Sequence, residues 1–326
     1  MGPTTTLLIL NNMLDLVIIG GAAVGCSSAI YAVRRKLNFK LITENIGGEV
    51  ALSGVVNNWP GIIDIQGFEL AQKFAEHVRS YGVEIDEGWT VSGITPVKNY
   101  HVVKAQKADG ATAEWQTKAV IIGTGIHPRR LGLPGEDKLD RKGITYCTVC
   151  DGPLFKNKVT ATIGAGNSAL ESALMMAGIS KKVYVLSKYA ESEAGGFPKG
   201  DAILVDKLKQ SPNVEFLYEA TTTEIVGEAK VAGLRYTNKA GEAQELMLEG
   251  VMVHIGMIPN SQFAKGVITL DAQSQIVADS KCRTNVAGIF AAGDVTDVPY
   301  KQIGIAAGQG IVAALAAIEY INLWKE

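Results

Sequence analysis

Four apolar residues in a row, Leu16-Val-Ile-Ile19, run into the glycine-rich stretch Gly20 to Gly25, and a helical run follows as far as Lys36. Strand, tight turn and helix are predicted in that order. A second short strand, Phe39 to Thr43, ends at Glu44 and completes a βαβ unit. Over 68–81, Leu70, Phe74, Val78 and Tyr81 share one helical face, and Gly82 predicts the stop. Segments 90–97, 100–107 and 113–117 read as a short antiparallel meander. The opening pattern then returns: a strand over 159–163, the turn Gly164-Ala-Gly166-Asn167-Ser168-Ala169, an apolar helix to Gly178 and a strand over 182–186. Strands over 214–217, 231–237 and 251–255 follow, and the strand end Gly288 to Asp294 returns the chain to its first unit.

This repetition predicts an α/β chain of two Rossmann-like, three-layer ββα nucleotide-binding domains. The expected boundaries are an N-terminal extension at 1–13, a discontinuous first domain at 14–126 and 255–326, and a central domain at 127–254. With 47% hydrophobic and 20% charged residues, the 326-residue chain can bury two cores. Its 36 glycines against 10 prolines point to tight turns and close backbone approach, not to disorder. A net charge of −2 argues against nucleic acid or an anionic lipid surface as partner. The apolar run Leu7 to Leu10 lacks a basic flank, so an extension is expected there instead of a signal peptide, with Met13 a candidate internal start. The apolar stretch Gly304 to Leu323 carries Gln309 and Glu319 and reads as a buried helix, not a membrane span. Four cysteines are too few for a disulfide scaffold, and a cytoplasmic location is expected.

In a dinucleotide turn the first glycine allows the bend, the second lets backbone amides approach the pyrophosphate, and the third lets helix and strand pack closely. The first turn has Gly20 and Gly25 but Ala22 at the second position. Glu44 stands about twenty residues on, where an acid binds a ribose hydroxyl pair. The alternative is an ordinary tight βα turn. The second turn, Gly164 to Ala169, is a complete fingerprint.

Between the two turns lies Cys147-Thr-Val-Cys150-Asp151-Gly-Pro153. A pair at this spacing forms a small disulfide ring, binds zinc, or does neither. Zinc needs more ligands, and the remaining Cys26, Cys282 and four histidines are scattered, so no metal is expected. A dithiol beside two dinucleotide turns favours redox exchange, with Asp151 moving the proton. Asp151 is otherwise a turn residue, and Cys26 and Cys282 read as small buried apolar residues.

The chain resembles the low-molecular-weight thioredoxin reductases over nearly its whole length after residue 13. The resemblance rests on the first turn, Gly47-Gly48-Glu49, Asn58-Trp59-Pro60-Gly61, Gly123-Thr124-Gly125, Leu131 to Gly135, Cys147 to Gly152, the second turn, Ile255-Gly256 with Pro259-Asn260, and Ala291-Ala292-Gly293-Asp294. It implies a homodimer with FAD held by Gly20, Ala22, Gly25, Glu44, Gly48, Glu49, Asn58, Thr124, Gly125, Asp294, Lys301, Gln302 and Ile303. It implies a second dinucleotide on Gly164, Gly166, Asn167, Ser168, Ala169, Lys188 and Tyr189. It also implies catalysis by Cys150 as the flavin-side sulfur, Cys147 as the nucleophile toward a thioredoxin-like protein disulfide, and Asp151 as proton donor. The central domain is expected to rotate between two arrangements.

Departures from the family pattern alter the expected donor. Ala22 replaces a glycine, Glu49 a glutamine and Lys301 an arginine. The His-Arg-Arg run that clamps the 2′-phosphate of NADPH reads Ser187-Lys188-Tyr189, and the later arginine aligns with Glu193. The expectation is a disulfide reductase for which NADPH is not an efficient donor, with NADH, reduced ferredoxin or a second FAD in the nucleotide site as alternatives. Three other readings stay open: a flavin-dependent oxidase of small dithiols, a non-catalytic flavin redox sensor, and an ordinary NADPH-dependent thioredoxin reductase.

Overall fold

The computed structural model describes residues 7–9 and 13–325. Of the N-terminal extension, residues 1–6 and 10–12 therefore lie outside the described residues. The chain divides into two compact units, Met1–His127 with Ile258–Glu326, and Pro128–Met257.

In the first unit, strands Ile85–Glu87, Phe39–Ile46, Leu14–Gly21 and Thr112–Ile122 lie side by side and parallel. The meander strands Tyr100–Gln106 and Thr90–Val97 extend the sheet antiparallel. The third meander strand, expected over 113–117, runs on to Ile122. Its first half pairs with Tyr100–Gln106, and its second half lies parallel to Leu14–Gly21 and Ile289–Ala291. The short strand Leu7–Ile9 adds to it, pairing with Thr112–Glu114.

The apolar run that opens the chain is apolar on both faces because both are covered. Leu16 and Ile18 pack with residues of the helices Ala23–Arg34 and Ile303–Asn322, while Val17 and Ile19 pack with Ile94, Val103 and Trp115. All four are at most 3% exposed. Each is worth roughly 1.5–3 kcal/mol of burial, so a one-residue slip of register would forfeit the whole set. The helix Ile303–Asn322 is long and apolar enough to cross a membrane by composition alone. Here it packs on Ala23–Arg34, where a Cβ at Gly310 would lie 2.6 Å from Val24 O and Ser28 Oγ donates to Gly310 O at 2.8 Å. The helix Gly67–Arg79 buries Leu70, Ala71, Ala75 and Val78. Tyr81 lies beyond its end, 41% exposed and stacked on His77, so it does not join the apolar face expected of it.

The second unit has the layers in the order sheet, sheet, helix. Its five-stranded parallel sheet runs Ile144–Thr145, Gly250–Val253, Val159–Ile163, Lys182–Leu186, Val214–Leu217. One face packs Ala161, Ile163, Val251 and Val253 against Ile225, Val231 and Leu234 of an antiparallel three-stranded sheet. The other packs Val183, Val185 and Met252 against the helices Asn167–Ala177 and Ala202–Lys209.

Candidate active site

In the first unit, Gly20 adopts φ +114°, and a Cβ there would lie 2.3 Å from Gly123 O. A Cβ at Gly25 would stand 1.7 Å from Gly20 O, which allows no side chain at that crossing of strand and helix. Ala22 is the N-cap of Ala23–Arg34, and neither a side-chain cap nor an acidic residue occupies its first turn. Its leading amides are left for an anion. Gly48, at φ +47°, would place a Cβ 3.8 Å from that of Ala22. Glu44 is exposed on the strand Phe39–Ile46, and Glu49 lies in the first turn of the short helix that follows Gly47.

Thr124, Gly125 and Asn260 close the next part of the same unit. Asn260 donates to Thr124 O at 2.8 Å and to Gly125 O through its amide, and Thr124 Oγ1 donates to Asn260 O at 2.7 Å. Asn58 Nδ2 donates to Gln302 Oε1 at 3.2 Å, and Gln302 is the N-cap of Ile303–Asn322. That helix also starts at Ile303 without a side-chain cap. Asp294 follows the strand Ile289–Ala291, and its Oδ1 is buried without a hydrogen-bond partner among the described residues. Burial pushes its carboxyl up, against the pull of the Lys301 ammonium. Lys301 Nζ is spent on Thr296 O. An orphaned buried acceptor, uncapped helix starts and a glycine turn fit FAD, whose hydroxyls and pyrophosphate would complete them.

In the second unit a Cβ at Gly164 would lie 2.2 Å from His254 O, so protein packing requires that glycine. Gly166 differs, since the nearest atom to a Cβ there is Lys199 O at 3.5 Å. Packing does not demand glycine there, and the start of Asn167–Ala177 is uncapped, which fits a dinucleotide pyrophosphate. Asn167 Nδ2 donates to Asp201 Oδ2 at 3.0 Å, and the Asp201 amide donates back to Asn167 Oδ1 at 2.7 Å. This clamp and a bridge between Gly166 and Lys199 bring the exposed Lys199 alongside the turn. Counting from the strand sets Glu193 at the later arginine position; the residue that the fold lays beside the turn is Lys199, because a turn and the 3-10 helix Ala194–Gly196 intervene. At the strand end, Ser187 Oγ is committed to Gly196 O, and Lys188 Nζ stands 5.4 Å from the Tyr189 ring centroid.

Cys147 and Cys150 form a disulfide whose Cα atoms are 5.3 Å apart. Cys147 is the N-cap of the short helix Thr148–Asp151 and its carbonyl accepts the amides of Cys150 and Asp151. Thr145, which spacing alone does not single out, donates its hydroxyl to Asp151 Oδ2 and accepts the Cys147 amide at 3.1 Å. Burial pushes the Asp151 carboxyl above its ordinary value, opposed by Thr145 and by the charge of Arg141. The carboxyl is thereby biased toward the protonated, proton-donating form. Glu136 is a second residue that sequence reasoning missed. It accepts the Leu131 and Gly132 amides at 2.8 and 2.7 Å and the Tyr146 hydroxyl at 2.7 Å, tying the Leu131 to Gly135 turn to the residue before Cys147. Cys26 and Cys282 are buried free thiols, pushed by burial up to about 12 and about 11.

Residues 14–310 match the family model described as pyridine nucleotide-disulphide oxidoreductase. The F component of the alkyl hydroperoxide reductase of Pseudomonas putida is 38% identical over 309 residues, covering 94% of this chain but 58% of that protein, so the chain spans little more than half of its curated relative. The crystal structure of thioredoxin reductase from Streptococcus pyogenes MGAS5005 superposes with a TM-score of 0.84 at 31% identity, covering 96% of this chain and 100% of that one. A ferredoxin-flavin thioredoxin reductase from Clostridium acetobutylicum gives 0.51 at 29% identity, covering 96% and 98%. With both glycine turns and the disulfide in place, the chain belongs to the pyridine nucleotide-disulphide oxidoreductase family and, within it, to the FAD-dependent, thioredoxin reductase-like disulfide oxidoreductases.

Proposed function

We propose that the chain takes electrons from a nicotinamide dinucleotide on the second glycine turn, passes them through FAD to the Cys147–Cys150 disulfide, and reduces a disulfide in a thioredoxin-like partner protein. The observation that carries this reading is the disulfide closed beside Asp151, a carboxyl biased toward its protonated form by burial. When bound, FAD supplies the two-electron step between nicotinamide and disulfide. Asp151 gives its proton to the sulfur released when the ring opens. Asp151 takes that proton back as Cys147 attacks the partner disulfide as a thiolate, and Cys150 displaces the partner from the mixed disulfide, so one disulfide is exchanged for another. The working molecule is proposed as a homodimer.

For the donor we propose NADH at least as readily as NADPH. Strong selection for a 2′-phosphate rests on paired arginine forks. Here the strand end offers Lys188, drawn over Tyr189, while Lys199 flanks the turn where both dinucleotides carry the same pyrophosphate. Releasing and quantifying bound flavin, then titrating anaerobically with NADH, NADPH and reduced ferredoxin, tests this. One FAD per chain bleached by NADH at least as fast as by NADPH is expected. Fast bleaching by NADPH alone would refute the donor assignment, and bleaching by ferredoxin alone would move the chain to the mode named for its Clostridium neighbour. A second FAD per chain would place flavin on the second turn.

A further inference from the structure

His254 follows the strand Gly250–Val253, and its amide donates to Ile163 O at 2.8 Å. It lies between the two helices that carry the chemistry of the second unit. Its Nδ1 is 2.9 Å from Ser168 Oγ, in the first turn of Asn167–Ala177, and its Nε2 is 2.8 Å from Thr148 Oγ1, the residue after Cys147. Thr148 Oγ1 is in turn 2.6 Å from Ser172 Oγ, one helical turn beyond Ser168. Thr148 and Ser172 are 3% and 4% exposed, whereas Ser168 is exposed in the uncapped first turn that follows Gly166. Gly152, just past the end of Thr148–Asp151, also lies against Asn167–Ala177, since a Cβ there would lie 3.2 Å from Met175 Cε and 3.3 Å from Met176 Sδ.

A neutral imidazole has one N–H and one acceptor nitrogen, so this row of groups has two complete hydrogen-bonding arrangements. In one, Ser168 donates to Nδ1, Nε2–H donates to Thr148, and Thr148 donates to Ser172. In the other every bond is reversed: Ser172 donates to Thr148, Thr148 to Nε2, and Nδ1–H to Ser168, which frees the Ser168 hydroxyl to donate outward. Burial holds His254 neutral, down to about 4, so both arrangements are accessible at ordinary pH. An anion over the second turn accepts from Ser168 and selects the second arrangement.

We propose that His254 is a positioning residue that couples occupancy of the second glycine turn to the thiol–disulfide equilibrium of Cys147 and Cys150, by reversing the hydrogen bonds from Ser168 to Thr148. The inference rests on the reading that a dinucleotide binds this turn. Because coupling between two sites is reciprocal, dinucleotide affinity differs between the disulfide and dithiol forms by the same factor.

The test equilibrates the FAD-bound protein with mixtures of reduced and oxidised dithiothreitol, with and without saturating NAD+ or NADP+, which donate no electrons. The balance is one disulfide reduced for one dithiol oxidised, read by acid quench and alkylation. Binding of each nucleotide is measured separately by calorimetry. In the unaltered protein, nucleotide is expected to move the midpoint dithiothreitol ratio about fivefold or more. Thr148→Val, His254→Phe and Ser168→Ala are each expected to abolish that movement, and His254→Gln, which keeps a donor and an acceptor, to restore part of it. Ser168 is exposed, so its variant keeps the test decisive even where a His254 variant folds poorly. Nucleotide bound with no movement in the unaltered protein, or with full movement in Ser168→Ala and Thr148→Val, overturns the coupling alone. Absence of nucleotide binding to the unaltered protein overturns both the coupling and the donor site beneath it.

Discussion

Thr145 donates its hydroxyl to the carboxyl of Asp151, and the same oxygen receives the amide of Cys147, so one buried side chain orders the proton donor and the nucleophile together. Its bond to Asp151 favours the ionised carboxyl and so restrains the rise caused by burial. Thr145→Val keeps the volume and removes both bonds. The alkaline limb of the disulfide-reduction rate is expected to move to higher pH, the maximal rate to fall about tenfold, and stability to fall by about 1–3 kcal/mol for the stranded amide. A pH–rate profile and a urea melt of the variant check this.

Asp151→Asn removes the proton without changing the shape. Disulfide reduction is expected to drop roughly 10²–10⁴-fold, the range of a lost general acid. Stability moves the other way. The folded carboxyl titrates above its unfolded value of 3.8, so its favourable contribution is complete below 3.8 and is lost as pH rises through the raised value. The variant is therefore expected to melt higher than the unaltered protein at pH 8, with the gap closing as pH falls toward 3. Equal melting differences at both pH values would contradict the burial of an ionisable carboxyl here.

Much of this architecture is legible in the chain because both sheets are covered on both faces. Leu16 to Ile19 and Val159 to Ile163 read as buried strands, and each glycine turn follows from its fingerprint. The spacing of Cys147 and Cys150 leaves several readings open, and the structure closes the pair as a disulfide. What the chain hides is contact made by distant residues. Thr145 and His254 look like ordinary strand residues until Asp151 and Thr148 are folded against them. Lys199 escapes notice because residues 190–196 make distance along the chain a poor guide to distance from Gly166. Tyr81 misleads in the opposite way, since helical spacing continues in sequence after the helix itself has ended at Arg79.

Asp294 offers a test of the FAD site that needs no turnover. Its buried Oδ1 has no partner among the described residues, and burial disfavours its charge. Asp294→Asn removes that charge, so the flavin-free chain is expected to gain stability. The same change replaces a charged acceptor with a neutral one, and FAD affinity is expected to fall roughly tenfold to a hundredfold. Melting of the flavin-free and FAD-bound forms, with fluorescence titration of FAD, measures the two effects separately.

His254 predicts a second pH signature. Burial lowers it from 6.5 to about 4, so the folded protein binds fewer protons than the unfolded chain between those values. Its contribution to stability is present above 6.5 and is lost as pH falls through that window, at a limiting slope of about 1.4 kcal/mol per pH unit. His254→Gln is expected to show a shallower loss between pH 6.5 and 4, seen by comparing urea midpoints of the two proteins. Parallel curves would contradict a neutral, buried imidazole.

The most direct measurement is the redox state of Cys147 and Cys150 after anaerobic addition of NADH to the FAD-bound protein, followed by acid quench, alkylation and mass spectrometry. Alkylation of both cysteines after NADH is added, with both protected as the disulfide when NADH is withheld, is the predicted result. A disulfide that stays closed while NADH, NADPH and reduced ferredoxin are each supplied would contradict the account.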